Sequence, residues 1–520
     1  MKKENILISN AANLCVADLF ETQAKNNPKV FAIQDIDGRK YKYKETLIRV
    51  LKIANIFINK GIKPKDRIAI ISENRREYLE IEMACAKIGA ILVAINWRLS
   101  DDEVNYCINL VKPKLVILSK RFNKHKKLNS IKNKKFFLLN TAFERQIINS
   151  KTYNGRSLGN GEDILVILFT SGTTGYPKGA KISHRAFIYR ALYFAFEYNI
   201  NKYDTFPAWA PMFHMASTDL AIGSLLIGGS VAFIDGFNSK KITSLIKTYN
   251  LSWLVLMPGM LEEYIRFIEA KNIKVKGIKA MGAMADLIPK NQITKITKLL
   301  DTPYLNSFGS TETGMPPASK GVIGINKKIF SLSKMQSSFC EVKLVKNNKE
   351  VDYNIPGECT VRGPTLFSGY WNAEITNLKD FRGGWFHMGD MMKRTKEDTF
   401  DFVDRKKYLI KSGGENIYPA EIERIIFRNK YITEAVVVRI KSKKWGESPI
   451  AIISINNKDK QKTILEELKK SCRKYLAGYK QPVKILIINE IDIPRSTTGK
   501  VQRHLVEKML KTVFNLEMVD

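Results

Sequence analysis

FTSGTTGYPKGAKISHR occupies residues 169–185. It overlaps the apolar run DILVILFTS at residues 163–171, which predicts a buried strand that enters a turn. Glycines in the turn permit positive φ angles and let backbone N–H groups converge on an anion, and the hydroxyls add donors. Lys178 adds a point charge suited to phosphate. Because the Walker spacing G-x-x-x-x-G-K-[ST] is absent, the stretch is either another kind of phosphate loop or an ordinary solvated Ser/Thr/Gly loop.

Short apolar runs around this loop alternate with longer helical patterns. RIAIIS at residues 67–72 precedes an amphipathic stretch at residues 75–88, and AILVAIN follows at residues 90–96. Further candidates for buried strands are found at residues 114–119, 230–235, 252–258 and 277–283. Continuous β-branched runs separated by helices predict parallel sheets covered on both faces, so we expect an α/β fold.

The pattern changes after about residue 340, where short stretches indicate antiparallel strands. A second α/β unit follows residue 405, with predicted helices at residues 419–428 and 462–476. A chain of 520 residues is too long for one core, so we expect at least two domains with a boundary near residues 404–407.

The formal net charge of +34 is compatible with binding to nucleic acid or to an anionic membrane. The densest basic run, KRFNKHKKLNSIKNKK at residues 120–135, has almost no aromatic interleaving, which favours a solvated surface over an RNA site. We therefore expect no nucleic-acid partner. The apolar run at residues 220–234 is too short to span a bilayer, so any membrane contact is expected to be peripheral.

The six cysteines are scattered without C-x-x-C or zinc-finger spacing, which predicts reduced thiols in a cytoplasmic protein. The N-terminal residues make a poor signal peptide, because asparagine and aspartate interrupt the apolar stretch. A serine hydrolase of the nucleophile-elbow type is disfavoured, since no G-x-S-x-G occurs.

Three further motifs carry candidate chemistry. In NSFGSTETG, residues 306–314, hydroxyl groups and Glu312 suit Mg²⁺, although Glu312 could equally be a helix cap in a polar turn. In GGWFHMGD and the following DFVDRKK, Asp390 suits a ribose diol and Arg405 a phosphate or ribose; the alternative is a β-turn before a helix that begins at Pro419. In PRSTTGKVQR, Lys500 is either a functional cation or one more surface lysine.

Together and in this order, the four motifs resemble the adenylate-forming superfamily of acyl-CoA synthetases, luciferases and adenylation domains. The resemblance covers nearly the whole chain, from GIKPKDRIAIISENRREYLEIEMACAKIGAILVAINWRL at residues 61–99 to PRSTTGKVQR. It implies a large N-terminal domain (residues 1–404) of layered α/β subdomains with a small β-barrel-like subdomain. A hinge at residues 405–407 and a small mobile α+β domain at residues 408–520 are also implied.

The resemblance implies an AMP-forming acid–thiol ligase that uses ATP, Mg²⁺ and coenzyme A. A carboxylate attacks the α-phosphate of ATP to form an acyl-adenylate, coenzyme A then displaces AMP, and the C-terminal domain rotates about Lys407 between the steps. The catalytic residues implied are Lys500, Glu312, Thr311 and His214, with Glu312 and Thr170 at the metal. The cofactor-binding residues implied are Thr170, Ser171, Gly172, Thr173, Thr174, Lys178, Gly282, Ala283, Asn306, Ser307, Phe308, Asp390, Arg405, Lys411, Gly413 and Gly414.

The sequence indicates the identity of the acid less directly than it indicates the reaction. Amino-acid-activating relatives have an aspartate where this chain has His214, and burying an unpaired ammonium is costly, so amino acids are disfavoured. His214 either contacts the acyl group or is a core histidine satisfied by backbone, and Met284 lies where the acyl pocket often begins. We expect a medium- or long-chain fatty acid first and an aromatic acid second. Coenzyme A is the favoured acceptor, with an acyl carrier protein as the alternative, and the protein is expected to be either a monomer or a homodimer.

Overall fold

The computed structural model describes residue 11 and residues 13–132, 134–170, 177–257, 260–271, 273–286, 288–412, 415–442, 444–495 and 501–514. Its helices are α1 (Val16–Asn26), α2 (Tyr43–Asn59), α3 (Arg76–Ile88), α4 (Asp101–Val111), α5 (Thr141–Asn149), α6 (His184–Tyr198), α7 (Met215–Leu226), α8 (Ser239–Thr248), α9 (Met260–Glu269), α10 (Lys290–Leu299), α11 (Glu374–Asp380), α12 (Pro419–Ile426), α13 (Gln461–Tyr475) and α14 (Arg503–Phe514).

The strands are β1 (Phe31–Gln34), β2 (Lys40–Lys42), β3 (Arg67–Ile71), β4 (Ile91–Ala94), β5 (Leu115–Ser119), β6 (Lys135–Leu139), β7 (Ile164–Thr170), β8 (Lys178–Ser183), β9 (Thr205–Ala208), β10 (Ser230–Phe233), β11 (Asn250–Leu254), β12 (Gly277–Met281), β13 (Glu341–Lys346), β14 (Lys349–Glu350), β15 (Gly357–Arg362), β16 (Phe386–Arg394), β17 (Phe400–Arg405), β18 (Ile410–Ser412), β19 (Glu415–Ile417), β20 (Ile432–Ser442), β21 (Gly446–Ile455) and β22 (Ile485–Ile487).

The first sheet has the strand order β6-β5-β3-β4-β7-β8 and is parallel except for the β7–β8 hairpin. Its strands read as unbroken apolar runs because both faces are buried. Along β3, Ile68 and Ile70 belong to one hydrophobic cluster, whereas Ala69 and Ile71 belong to another on the opposite face. The predicted parallel sheet covered on both faces is therefore confirmed here.

The second sheet has the order β12-β11-β9-β10-β1-β2 and is likewise parallel apart from its edge strand β2. Strand β1 pairs with β10, far along the chain, so the N-terminal residues complete this sheet. Helix α2 begins with Tyr43, whose phenol donates to the carbonyl of Gly229 at 2.7 Å. Because Tyr43 is fully buried, this bond joins α2 firmly to the turn before β10.

An antiparallel sheet follows, with the order β14-β13-β15-β16-β17, as predicted for the residues after 340. The last sheet joins β19-β18-β21-β20, with β22 beside β21, and has hydrophobic clusters of its own. Asp404 at the end of β17 accepts a hydrogen bond of 2.7 Å from the backbone N–H of Ala420 in α12. The mixed α/β class is confirmed, while the domain bounds and hinge stay predictions.

A helix that crosses a bilayer must be both long and apolar. None of the helices in the described part of the chain meets both conditions.

Candidate active site

The β7–β8 hairpin frames the opening motif. Thr170 on β7 lies opposite Lys178 on β8 in the antiparallel register, so these two residues pair at the end of the hairpin. The predicted phosphate-loop residues between them, Ser171, Gly172, Thr173 and Thr174, lie outside the described residues. The buried strand that was expected at the start of the motif is present as β7.

A second segment lies along β8 and brings Tyr370 to this hairpin. Trp371 donates its backbone N–H to the carbonyl of Gly179 at 2.8 Å, and Lys181 donates to that of Gly369 at 3.0 Å. The ammonium of Lys178 stands 5.1 Å from the centre of the Tyr370 ring. A cation over an aromatic face is attracted by the ring, so Tyr370 helps to hold Lys178 at the turn.

Glu312 lies in the turn of residues 310–314, where Ser310 and Gly314 exchange backbone hydrogen bonds. Its carboxylate Oε1 accepts a hydrogen bond of 2.9 Å from the Tyr370 phenol. Burial and the charge of Glu312 raise the pKa of Tyr370 far above its usual value, so the phenol keeps its proton and remains a donor. The polar turn of the alternative interpretation is present, but Glu312 caps none of the helices in the described residues.

The donor set at this turn fits Mg²⁺. Oε2 of Glu312 has no protein partner within the described part of the chain, and carboxylate and hydroxyl oxygens are the ligands that Mg²⁺ prefers. The described residues include no group of three His, Cys, Asp or Glu side chains able to hold a metal ion by themselves. A magnesium ion held by few protein ligands and by phosphate oxygens agrees with that donor set.

Asp390 and Arg405 face each other across strands β16 and β17. Nε of Arg405 lies 2.8 Å from Oδ1 of Asp390, and the Asp390 side chain is only 3% exposed. The Asp390 charge is the main reason that the pKa of Arg405 is raised, and Glu312 contributes to the same effect. Asp390, Arg405 and Glu312 therefore share one electrostatic neighbourhood.

The residues predicted to surround adenine also lie together. Leu305 donates its backbone N–H to the carbonyl of Met281 at 2.7 Å, so residues 281–285 and 304–308 run side by side. Oδ1 of Asn306 accepts from the backbone N–H of Ala285 at 2.9 Å. The Phe308 ring lies 6.0 Å from the ring of Phe402 on β17, close to Arg405 in sequence. This arrangement brings Gly282, Ala283, Asn306, Ser307 and Phe308 together.

Other predicted residues are held elsewhere or not described. His214 precedes α7, and its Nδ1 accepts a hydrogen bond of 3.1 Å from the backbone N–H of Ala216. The interpretation of a backbone-satisfied histidine thus has direct support. Lys411 is exposed on β18, where its backbone N–H donates to Glu447 at 2.7 Å. Gly413, Gly414 and Lys500 lie outside the described residues.

Two residues at this site have no counterpart among those predicted from the sequence. Tyr370 holds the Glu312 carboxylate, and Arg190 donates to the carbonyl of Thr311 at 3.1 Å. Arg190 does have a visible signal, because it is a lone charge in the apolar middle of HRAFIYRALYFAFEY. Such a charge is either exposed or paired inside the protein.

Comparisons with known proteins bear on this site. The AMP-binding enzyme family matches residues 20–371, and the AMP-binding enzyme C-terminal domain matches residues 421–500. The 2-succinylbenzoate–CoA ligase of Oceanobacillus iheyensis is 29% identical over 489 residues, covering 94% of this chain and 98% of that protein. The ligase of the same name from Geobacillus sp. (strain WCH70) is 28% identical over 489 residues, covering 93% and 95%.

A solved structure, the o-succinylbenzoate CoA synthetase of Bacillus subtilis in complex with its acyl-adenylate intermediate, has the same fold. It superposes with a TM-score of 0.82 at 22% identity and covers 95% of this chain and 98% of that one. The prediction of an AMP-forming acid–thiol ligase that uses ATP, Mg²⁺ and coenzyme A is confirmed at the level of the enzyme class. Since the family match spans well over half of its 520 residues, the chain belongs to the family of AMP-binding enzymes.

Proposed function

We propose that this enzyme joins an aromatic carboxylic acid to coenzyme A, and 2-succinylbenzoate is one example of such an acid. The observation that carries this choice is the similarity, over nearly the whole chain, to 2-succinylbenzoate–CoA ligases. A medium- or long-chain fatty acid, the substrate that we first expected from the sequence, has no comparable support. It is therefore the comparison substrate in the experiment below.

The first step joins two anions. A substrate carboxylate attacks the α-phosphorus of ATP, and the bond from that phosphorus to the pyrophosphate oxygen breaks. We assign Lys178, with the hydroxyls of Thr170 to Thr174, to the departing phosphates, and Lys500 to the charge that develops at the α-phosphate. The opposed positions of Thr170 and Lys178 support this assignment.

Glu312 and Thr170 would hold Mg²⁺, and Thr311 would contact phosphate. When bound, the ion neutralises charge on the polyphosphate and orients it for attack. The hydrogen bond from Tyr370 to Oε1 of Glu312 supports this role, because it fixes the carboxylate while Oε2 stays available.

The nucleoside would be held by the neighbouring strands. Asp390 accepts the ribose hydroxyls, with Arg405 beside it, and Phe308 stacks on adenine near Gly282, Ala283, Asn306 and Ser307. The burial of Asp390 and its ion pair with Arg405 support the first assignment, because a buried carboxylate with a fixed partner is preorganised to accept.

In the second step the thiolate of coenzyme A attacks the acyl carbonyl and AMP leaves. We propose that residues 408–520 rotate about a hinge at residues 405–407, so that Lys411, Gly413 and Gly414 come to face the site. The change of sheet between β17, which ends at Arg405, and β18, which begins at Ile410, supports a hinge there. Lys480, one of the lysines considered for the 3′-phosphate of coenzyme A, pairs with Glu421 at 2.9 Å and would have to leave it.

A substrate screen by pyrophosphate release tests the proposal. The purified enzyme is incubated with ATP, Mg²⁺ and one acid at a time: 2-succinylbenzoate, benzoate, octanoate or palmitate. The acceptor is either coenzyme A or an acyl carrier protein with a free phosphopantetheine thiol. We expect aromatic acids to exceed fatty acids by about tenfold or more in kcat/KM, a difference that pocket contacts commonly give.

Two results of the screen, and one result of a separate RNA-binding measurement, would contradict the proposal. A preference for octanoate or palmitate would indicate that the substrate is a fatty acid. Transfer of the acyl group to the carrier protein, with no CoA thioester formed, would show that the acceptor is the carrier protein and not coenzyme A. Salt-dependent submicromolar binding to RNA without pyrophosphate release would favour a nucleic-acid role.

A further inference from the structure

Arg190, in the middle of α6, is fully buried and contacts three separate parts of the chain. Its Nη1 lies 3.0 Å from Oδ2 of Asp219 on α7. Its Nε donates to the carbonyl of Thr365 at 3.0 Å, and its Nη2 donates to the carbonyl of Thr311 at 3.1 Å. One guanidinium therefore ties a helix to two loops, using the fixed fork of donors that only arginine has.

Both loops lead directly to the groups assigned to the nucleotide and the metal. Thr311 immediately precedes Glu312, and Thr365 lies shortly before Tyr370 in the chain. The two loops also contact each other, because Phe367 donates its backbone N–H to the carbonyl of Glu312 at 2.8 Å. Arg190 therefore fixes the spacing between the Glu312 carboxylate and the Tyr370 phenol that holds it.

The turn is shaped to admit the guanidinium. Gly314 has a φ of +70°, and a Cβ at this position would come within 2.7 Å of Nε of Arg190. A side chain here would be strained in its backbone and would displace the arginine. The close approach shows that the turn of residues 310–314 and Arg190 are packed as one unit.

We propose that Arg190 is a positioning residue for MgATP, which acts by holding the Thr311–Glu312 backbone at a fixed distance from Tyr370. This inference rests on the proposed nucleotide role of Thr311 and Glu312. Arg190 touches neither the nucleotide nor the acid, so its contribution is to the placement of the groups that do. The competing interpretation is that Arg190 only neutralises Asp219 in the protein interior, which would make its role purely structural.

Arg190→Lys separates the two interpretations. Lysine keeps a positive charge for Asp219 but cannot donate to both carbonyls in the geometry of a guanidinium. We expect the Kd for MgATP, measured by calorimetry without any acid, to rise by about tenfold or more, as for the loss of a charged hydrogen bond. The KM for the acid is expected to change little, whereas the melting temperature is expected to fall because a buried carbonyl loses its donor.

Arg185→Lys is the matched control. Arg185 lies on the same helix and donates to the carbonyl of Leu366 at 3.2 Å, but it has no bond to the turn of residues 310–314. We expect its Kd for MgATP to stay within twofold of the wild type, about the resolution of such a comparison.

If Arg190→Lys does not fold, the double variant Arg190→Met with Asp219→Leu takes its place, because removing a buried ion pair together leaves no unpaired charge. The same loss of MgATP affinity is expected from it. Wild-type affinity for MgATP in the folded Arg190 variant would overturn the inference. An unchanged affinity in Glu312→Ala would instead overturn the proposed nucleotide site, which distinguishes the two failures.

Discussion

The phenol of Tyr370 donates a hydrogen bond of 2.9 Å to Oε1 of Glu312, across 58 residues of sequence. Removing it with Tyr370→Phe keeps the ring that packs against Phe367 and faces Lys178. We expect the Mg²⁺ concentration for half-maximal activity to rise by about tenfold, because a charged hydrogen bond that orients the carboxylate is lost. Titration of Mg²⁺ at saturating ATP measures the shift.

Tyr249→Phe is the control for this substitution, because the Tyr249 phenol bonds to Gln34 at 2.6 Å in another part of the fold. An identical Mg²⁺ titration curve for Tyr370→Phe and wild type would contradict a role in holding Glu312.

His214→Asn separates the two functions considered for His214. Asparagine is a good helix N-cap, so it can replace the bond from the backbone N–H of Ala216 that begins α7. If the imidazole also contacts the acyl group, we expect a higher KM for the acid, an unchanged Kd for MgATP and an unchanged melting temperature. A KM equal to that of the wild type would leave His214 as a cap only. His214→Ala, which loses the cap, is expected to cost about 1 kcal/mol of stability.

Lys500→Ala is expected to suppress adenylate formation far more than thioester formation from supplied acyl-adenylate. The reason is that the charge near the α-phosphate is needed only while pyrophosphate leaves. Separate assays of ATP–pyrophosphate exchange and of thioester formation from synthetic acyl-adenylate measure the two steps. Lys511→Ala, on the exposed face of α14, is the control. Equal loss of both half-reactions would argue against the assigned role.

Lys407→Pro tests the hinge. Proline fixes φ, so we expect the rotation to be impaired and thioester formation to fall while adenylation remains largely intact. Lys407→Ala removes the same side chain without restricting the backbone and is expected to behave like the wild type. If Lys407→Pro abolished both half-reactions, the hinge would have to be placed elsewhere.

Glu82 gives the protein a pH-dependent stability. It is fully buried on α3, where burial raises the pKa of its carboxyl to about 8 although Thr218 donates to it at 2.7 Å. The unfolded chain loses this proton at about pH 4.3, so between that pH and about pH 8 only the folded protein keeps it, and stability falls as the pH rises. Above about pH 8 this contribution is constant.

Glu82→Gln cannot ionise and therefore should not show this slope. We expect the variant to gain up to about 2.5 kcal/mol relative to the wild type between about pH 5.5 and pH 7.5, as measured by urea unfolding at each pH. Parallel curves for the two proteins would show that Glu82 does not stay protonated in the folded state.

Much of the fold could be predicted because buried parallel strands read as apolar runs, as in β3 and β5. The sequence does not predict the edge strands β2 and β8, because they lack such an apolar run. β2 is short and half exposed, and β8 carries the polar sequence KGAKIS, so neither has the apolar run that marks a buried strand. Strand β1 has only four residues, and its partner β10 lies almost two hundred residues further along the chain.

Some residues of the candidate site could likewise be predicted from the sequence, whereas others could not. Thr170, Lys178 and Glu312 lie in short motifs whose residue types indicate phosphate and Mg²⁺, so the sequence alone suggests them. Arg190 bonds to an atom 121 residues away in the chain, and Tyr370 bonds to one 58 residues away. The acceptor of Arg190 is a main-chain carbonyl, which every residue has, so the sequence does not indicate it. Such hydrogen-bond partners can be identified only from the folded structure.

Asp404, which accepts the hydrogen bond from the backbone N–H of Ala420, is 2% exposed. It stands before the proposed hinge, whereas Ala420 stands after it. Under the proposed rotation this bond joins the two parts that move relative to each other, and it is formed in the arrangement described here. The lifetime of each conformer would then depend on the Asp404 carboxylate, which contacts neither ATP nor the acid. A substitution of Asp404 would therefore change the rate of the domain rotation without changing the groups that carry out the reaction.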